Sequence, residues 1–322
     1  MTTVSTRTGT GRERASLRSA LFAHARASDL VPLAAVPVLL LAVFTLPEAT
    51  RRSLAFAYTE PTLLTAFTAH YVHLRVEHLA GNLVAYVLLA GIGYLLATAG
   101  RQRRLFFTAF ATFCLVLPVA LSALNLAVPR NAVGFGFSGV NMAFAGLLPL
   151  LLAAFAREHL PTSRADPDST VVASLSDSVP VRLLPPVFLV SVGWMGALAI
   201  PTGLDVAGTA GPAVALVGGG WLLWTITSVA PGGLRSLAGV PRRLIGTPGY
   251  GDLFVVGVVL AVAYPVAGFP ADPTGDGRVL NLYVHLLGYA LAFIGPYVLV
   301  AFGAFDDPEA ESRDVAGSRD AA

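Results

Sequence analysis

A single serine in a glycine-rich stretch is the first candidate for chemistry. Ser138 lies between Gly136 and Gly139, at the start of an apolar run. A serine hydroxyl is a weak nucleophile and needs an adjacent base to take its proton. His285, inside the last apolar run of the chain, is a candidate for that base. Taken alone, Ser138 is more typical of a helix cap or a small packing residue, so other residues must decide.

A second pair of polar residues is suited to stabilising negative charge. His78 and Asn82 stand four residues apart at the start of another apolar run, and residues at this spacing share one face of a helix. Attack by a serine on a carbonyl produces an oxyanion, which needs hydrogen-bond donors held in place. The side chains of His78 and Asn82 are candidates for these donors, together with the backbone N–H of Ser138 at a helix N-terminus.

Three glycines accompany the candidate residues. Gly139 follows Ser138 directly, and Gly288 follows His285 by three positions. Small residues let membrane helices approach closely, and a short serine side chain meets a histidine only where two backbones come near. Gly136 allows an unusual backbone turn ahead of the serine. We therefore expect these glycines to serve packing and turning.

The composition indicates the elements that must position these residues. The chain has 322 residues, of which 55% are hydrophobic and 12% are charged, whereas soluble domains carry about 25% charged residues. A helix needs about 20 apolar residues to cross a hydrocarbon core of about 30 Å, and the apolar blocks do not alternate as barrel strands would. We therefore predict an all-α polytopic membrane protein with about eight transmembrane helices. They cover residues 30–46, 78–99, 105–127, 138–156, 183–200, 213–230, 253–269 and 279–302.

The arginines predict the orientation in the membrane. All 21 basic residues are arginines, and basic residues concentrate in cytoplasmic loops. Most of them fall on the side of the N-terminus. The other side holds Arg51, Arg52, Arg75, Arg130 and Arg278. We therefore expect a multi-pass protein of the cell membrane with both termini in the cytoplasm. Ser138, His285, His78 and Asn82 then all lie near the outer face.

The charge pattern also predicts the domain organisation. Residues 1–29 form a basic cytoplasmic arm, and residues 30–303 form the transmembrane domain. Within that domain, residues 47–77 make an outer loop, which its apolar and aromatic side chains predict to be partly embedded in the membrane. Residues 157–182 make a polar inner linker, and residues 304–322 make an acidic cytoplasmic tail.

The candidate residues fall within motifs that resemble those of a known family. HLAGN (78–82), GFSG (136–139) and HLLG (285–288) resemble, in the same order, the HxxxN, GxSG and HxxG signatures of the rhomboid intramembrane serine proteases. His73 is similar to a histidine that is common in the first outer loop of the family, and Gly146 to a recurring packing glycine. Three motifs in order on correctly oriented spans form a fairly specific resemblance.

The resemblance implies a fold and an activity. It implies a rhomboid-like helical bundle with a six-helix core, to which this chain adds two helices. It implies an intramembrane serine endopeptidase that cuts membrane-anchored protein substrates in or near their transmembrane segment. Ser138 would be the nucleophile and His285 the general base, with His78 and Asn82 stabilising the oxyanion. We expect no cofactor, no metal and no nucleic-acid partner; the partners are the lipid bilayer and the substrate proteins.

Several features depart from the family pattern, and two of them concern the helices that carry Ser138 and His285. Three predicted spans lie between the Ser138 span and the His285 span, where the family core has one. Met142 stands four residues after Ser138, where the family usually has an aromatic residue that packs against the catalytic histidine.

Other interpretations remain open at this point. A rhomboid-like protein without activity would use the same fold to bind transmembrane clients. A small-solute transporter would use His285 as a proton relay. His70, His73 and His78 could suggest a metal site, but their spacing lacks the HExxH pattern of a zinc protease helix.

Overall fold

The computed structural model of the chain describes residues 16–128, 131–159, 179–199, 205–228, 248–270, 274–275 and 278–305. Within these ranges, seven helices are long and apolar enough to cross a membrane, and one bent helix pair makes an eighth if it is counted as a single span. The prediction of an all-α, multi-pass membrane protein is therefore confirmed.

The helices follow one another with few strands between them. In chain order they are α1 (Leu17–His24), α2 (Leu30–Phe44), α3 (Glu48–Ser53), α4 (Leu63–Thr68), α5 (Val76–Ala99), α6 (Arg103–Leu115), α7 (Leu117–Asn125), α8 (Ser138–His159), α9 (Val179–Arg182), α10 (Leu184–Ala199), α11 (Asp205–Ser228), α12 (Tyr250–Gly268) and α13 (Leu282–Ala301). Short 3-10 helices cover Ala27–Asp29 and Ala69–Tyr71. Two antiparallel strand pairs join β1 (Phe56–Ala57) to β2 (Val133–Gly134) and β3 (Thr274–Gly275) to β4 (Arg278–Val279). Each predicted apolar block corresponds to one spanning helix or to the pair α6–α7.

Helix α8 lies at the centre of the bundle. Of its spanning segment 94% is buried, compared with 11% of the α11 span. Phe144, Leu148 and Leu151 of α8 have almost no exposed surface, and the helix packs against α5, α12 and α13. A helix that is apolar all round is expected to be buried in this way. Ser138 is therefore held at the end of the best-enclosed helix of the described structure.

The three spans on the chain between α8 and α13 differ in their position. Helix α12 packs against both α5 and α8, and Gly257 of α12 faces Leu96 and Leu152 so closely that a side chain there would meet both. Helix α11 packs mainly on α10, and α10 reaches α13, where the rings of Phe188 and Phe293 stack with centroids 4.2 Å apart. The pair α10–α11 therefore lies at the periphery, while α12 belongs to the core.

Helices α6 and α7 form the bent pair. Their axes differ by 48° across the break. Pro118 stands in the first turn of α7, where a missing N–H costs nothing because the first turn of a helix has no internal acceptor for it. The proline cannot continue the hydrogen-bond ladder of α6. The sequence from 105 to 127, predicted as one span, is therefore a broken helix.

The outer loop folds onto the entrance of α8. Residues 47–77 contain α3, β1, α4 and a 3-10 helix, and β1 pairs with β2, which lies immediately before α8. Residues 69–73 of this loop are buried. Leu63 and Leu64 are 81% and 65% exposed, which leaves an apolar surface on the loop. The embedding of this loop in the membrane stays a prediction.

Two contacts near the N-terminus join helix ends on that side of the bundle. Leu17 of α1 packs against Gly249 at the start of α12, so part of the predicted basic arm belongs to the bundle. Asp29 is 3% exposed and accepts hydrogen bonds from Arg103 and Tyr94. Residues 1–15 of the arm, 160–178 of the linker and 306–322 of the tail lie outside the described residues.

Candidate active site

Ser138 stands at the N-terminus of α8, where it is half-buried. The backbone turns just before it, because Gly136 has a φ of 112°, a value that glycine adopts without steric cost. The first N–H groups of a helix have no acceptor within the helix. The GFSG stretch therefore combines a hydroxyl with backbone donors at one helix end.

The outer loop holds this turn in place. The N–H of Gly136 donates to the carbonyl oxygen of Ala69 over 2.9 Å, and the N–H of Phe137 donates to Nε2 of His73 over 3.5 Å. The pairing of β1 with β2 adds a third connection. The position of Ser138 thus depends on a loop more than 60 residues earlier in the chain.

His78 packs directly over the glycine turn. A side chain at Gly136 would meet Cε1 of His78 at 2.5 Å and Nε2 at 2.8 Å, so this edge of the ring touches the backbone two residues before Ser138. The ring also lies edge-on to His73, with centroids 4.9 Å apart, and 5.8 Å from the ring of Phe135. The imidazole of His78 is therefore held beside the N-terminus of α8.

Asn82 lies one turn below His78 and is tied to α8. Its Nδ2 donates to the backbone oxygen of His78 over 3.0 Å. Asn141 of α8 donates from its own Nδ2 to both the Oδ1 and the backbone oxygen of Asn82, each over 3.0 Å. Because an amide nitrogen carries two hydrogens, the carboxamide of Asn82 retains one further donor. Its orientation is fixed by Asn141.

His285 is buried, with 4% of its surface exposed, and one ring nitrogen has a defined partner. Nδ1 lies 2.8 Å from the carbonyl oxygen of Gly268. A carbonyl oxygen only accepts hydrogen bonds, so Nδ1 carries the proton of the neutral ring. Nε2 is then the unprotonated nitrogen, which is the one able to take a proton from a neighbouring hydroxyl.

Helices α8 and α13 cross closely at the level of Ser138 and His285. A methyl group on Gly288 would collide with the backbone oxygen of Gly139, and one on Gly139 would lie 2.6 Å from Cγ1 of Val284. Gly139 follows Ser138, while Val284 precedes His285, so the two candidate residues stand on facing helices. No hydrogen bond joins the Ser138 hydroxyl to the His285 ring among the described residues. Catalytic pairs often tighten only when substrate is bound.

Met142 fills the space beside His285. A side chain on Gly268 would collide with Cε of Met142, and the same position lies 3.6 Å from Nδ1 of His285. The ring of Phe269 lies edge-on to His285 with centroids 6.1 Å apart. The aromatic contact of His285 thus comes from the residue after α12, and the thioether of Met142 lies against Gly268.

The histidines of the outer loop are bound within the protein. Nε2 of His70 lies 3.1 Å from Oγ of Ser122, and that hydroxyl donates to the carbonyl oxygen of Ala66. Burial lowers the pKa of His70 to about 4. Burial, and to a smaller extent the nearby His78, lower the pKa of His73 to about 3. Across the described ranges, no three His, Cys, Asp or Glu side chains are grouped as ligands for a metal ion.

Comparison with protein-family models, curated proteins and solved structures found no match. The function must therefore be argued from the arrangement of the side chains.

Two contacts of the candidate residues were not predicted from the sequence. The carbonyl of Gly268 is available because the last carbonyls of a helix have no partner in the helix, and Pro270 follows shortly after the end of α12. This Gly-Phe-Pro sequence is a recognisable helix stop, but nothing in it indicates a histidine partner. Asn141 was given no role from the sequence, although its spacing of three from Ser138 places it on nearly the same helix face.

Proposed function

We propose that the chain is an intramembrane serine endopeptidase of the rhomboid type. Its proposed fold is a six-helix rhomboid-like core with α10 and α11 added at the periphery. The observation that carries the proposal is the hydrogen bond from Nδ1 of His285 to the carbonyl of Gly268 over 2.8 Å. It leaves Nε2 unprotonated on a helix whose Gly288 packs onto Gly139, next to Ser138.

The reaction would proceed through an acyl-enzyme. Oγ of Ser138 attacks the carbonyl carbon of the scissile peptide bond as Nε2 of His285 takes the hydroxyl proton. The carbonyl electron pair moves onto oxygen to form the oxyanion. When the C–N bond breaks, the departing amine takes the proton from Nε2. A water molecule then repeats the two steps on the ester and regenerates Ser138.

The carbonyl of Gly268 would act where a carboxylate stands in a catalytic triad. It orients the ring and fixes the tautomer, which is the role of the third triad member. It also lies at the C-terminus of α12, and the negative end of a helix dipole favours a nearby cation by about 0.3–1 kcal/mol. A carbonyl carries less charge than a carboxylate, so the imidazolium of His285 gains less stabilisation than in a full triad.

The oxyanion would form at the N-terminus of α8. The backbone N–H of Ser138, the imidazole edge of His78 and the remaining amide hydrogen of Asn82 are the candidate donors. Removing one such donor typically costs about 10²–10³ in rate. Because Asn141 and the Gly136 turn hold these groups in place, little reorganisation is required when charge develops.

The substrates we propose are membrane-anchored proteins. A site built from the ends of spanning helices is reached from the lipid or from the outer aqueous face. Helix α10 packs on α13 and α11 packs on α10, whereas α8 and α13 pack directly on each other at Gly139 and Gly288. The arginine distribution supports a cell-membrane protein with cytoplasmic termini and a site near the outer face.

Labelling with a fluorophosphonate probe tests the proposal. We expect the purified wild-type protein to be labelled, and Ser138→Ala and His285→Ala to lose the label. Ser122→Ala is the matched control, because Ser122 also contacts a histidine but is buried and donates its hydrogen bond to the carbonyl oxygen of Ala66, so its removal should leave labelling intact. Absence of labelling in a folded wild-type protein would favour an inactive, client-binding protein.

A further inference from the structure

An apolar groove runs along the face of the bundle between the bent pair α6–α7 and helix α13. It encloses a volume of about 190 Å³. Its walls include Leu105, Thr112, Val116, Gly295, Leu299 and Phe305. From Leu105 to Val116 the groove is about 16 Å long at 1.5 Å per residue. This is about half of a 30 Å hydrocarbon core, so the length of the groove matches the thickness of one leaflet.

One end of the groove carries a cation that has no acidic partner among the described residues. Arg104 precedes the groove residue Leu105, and its guanidinium carbon lies 5.8 Å from the ring centre of Phe305. Its two neighbouring arginines are engaged differently. Arg103 is paired with Asp29, and Arg101 lies 4.0 Å from Glu158. Arg104 is exposed and has no ion pair within the described residues. Within the described structure, its charge is therefore exposed at the end of the groove.

We propose that this groove binds one acyl chain of an anionic phospholipid whose headgroup phosphate pairs with Arg104. The lipid belongs to the leaflet on the Arg101–Arg104 side, which the arginine distribution predicts to be cytoplasmic. The apolar walls accept the chain, while the guanidinium selects the charge, since it pairs well with phosphate oxygens. Gly295 and Leu299 lie on α13, so the bound lipid contacts the helix that also carries His285.

Headgroup selectivity tests the role of Arg104. The full-length protein in neutral detergent is mixed with phosphatidylglycerol or with phosphatidylcholine of the same chains, and native mass spectrometry measures the bound lipid. We expect tighter binding of phosphatidylglycerol, and in Arg104→Gln an affinity for it about fivefold lower, with phosphatidylcholine unchanged. Arg101→Gln is the matched control and should keep the preference. Equal binding of the two lipids by the wild type would overturn the proposal.

Blocking the groove tests the place of the acyl chain. Nothing lies within 4 Å of a side chain built on Gly295 or on Gly220, so a larger residue at either position is accommodated. Gly295→Leu fills the groove and should abolish tight binding of phosphatidylglycerol, whereas Gly220→Leu, on the peripheral α11, should leave it intact. Undiminished binding in Gly295→Leu, or an equal loss in both variants, would contradict the assignment. If Gly295→Leu does not fold, the Arg104→Gln measurement tests the proposed lipid site.

Discussion

At the scale of single residues, the contribution of Asn82 to an oxyanion site depends on Asn141. The backbone oxygen of His78 accepts from Nδ2 of Asn82 over 3.0 Å, which favours the amide nitrogen on that side. Asn141 donates to Oδ1 of Asn82 over 3.0 Å, which fixes the oxygen towards α8 and the nitrogen towards the other side. Both side chains are buried, so water does not compete for these groups.

We expect Asn141→Asp to slow reaction of Ser138 with a fluorophosphonate probe. A carboxylate at position 141 cannot donate to the two oxygen atoms of Asn82 and repels them. The side-chain amide of Asn82 is therefore expected to turn or move. If Asn82 is an oxyanion donor, the labelling rate should fall by about 10². The measurement is the rate constant of labelling, compared with the wild type. An unchanged rate in the folded variant would show that the orientation of Asn82 is unimportant for the oxyanion.

At the scale of elements, the outer loop has a buried portion, residues 69–73, that contains two histidines. His70 is 6% exposed and His73 is fully buried. The loop also carries the acceptors for the backbone N–H groups of Gly136 and Phe137. Loss of order in the loop would therefore release the turn that precedes Ser138.

Acid should destabilise this loop. The pKa of His70 is lowered to about 4 in the folded protein, against about 6.5 in an unfolded chain. Between these values the unfolded chain binds a proton that the folded one does not, so the free energy of unfolding falls as the pH falls from about 6.5 towards 4. The full effect is on the order of 3 kcal/mol for His70, because each unit of pKa corresponds to about 1.4 kcal/mol.

The pH dependence of thermal unfolding measures this effect. We expect His70→Gln to weaken the loss of stability between pH 7.5 and pH 5, with His73 supplying what remains. His24→Gln is the control, since His24 is exposed on α1, and it should behave as the wild type does. The same slope in His70→Gln and the wild type would exclude His70 as the origin.

The elements also show which features the sequence predicts. The spans were predictable because apolar length is a local property, and every block has its helix. Pro118 marks the break between α6 and α7 and is visible in the sequence. The apolar length of residues 105–127 nevertheless led to the prediction of a single span. The partner of His285 was not predictable, because it is a backbone carbonyl that any residue type would supply. The peripheral place of α10 and α11 depends on packing between distant segments, which composition does not encode.

At the scale of the whole molecule, the attachment of the N-terminal span α2 to the rest of the bundle depends on few contacts. The α2 span, from residue 27 to 44, is only 17% buried, so its packing contributes little. Asp29, just before α2, accepts from Nε of Arg103 over 2.6 Å and from the hydroxyl of Tyr94 over 2.9 Å. These bonds connect three helices at the inner ends, because Tyr94 belongs to α5 and Arg103 to α6. A hydrogen bond to a charged group contributes about 1.5–3 kcal/mol.

Asp29→Asn should therefore loosen α2 without unfolding the core. The amide keeps the shape of the carboxylate but loses its charge, which leaves the partly buried Arg103 without a counter-ion. We expect the free energy of unfolding to fall by about 1–3 kcal/mol.

Glu48→Gln provides the matched control. Glu48 pairs with Arg52 over 2.6 Å with both side chains more than half exposed, and such surface pairs contribute about 0–1 kcal/mol. Thermal unfolding and hydrogen exchange across residues 27–44 report the two effects. Faster exchange in α2 for Asp29→Asn alone is the expected result, since the surface pair does not attach this helix to the bundle. Equal exchange in the two variants would mean that lipid contacts, and not the buried carboxylate, hold α2 against the bundle.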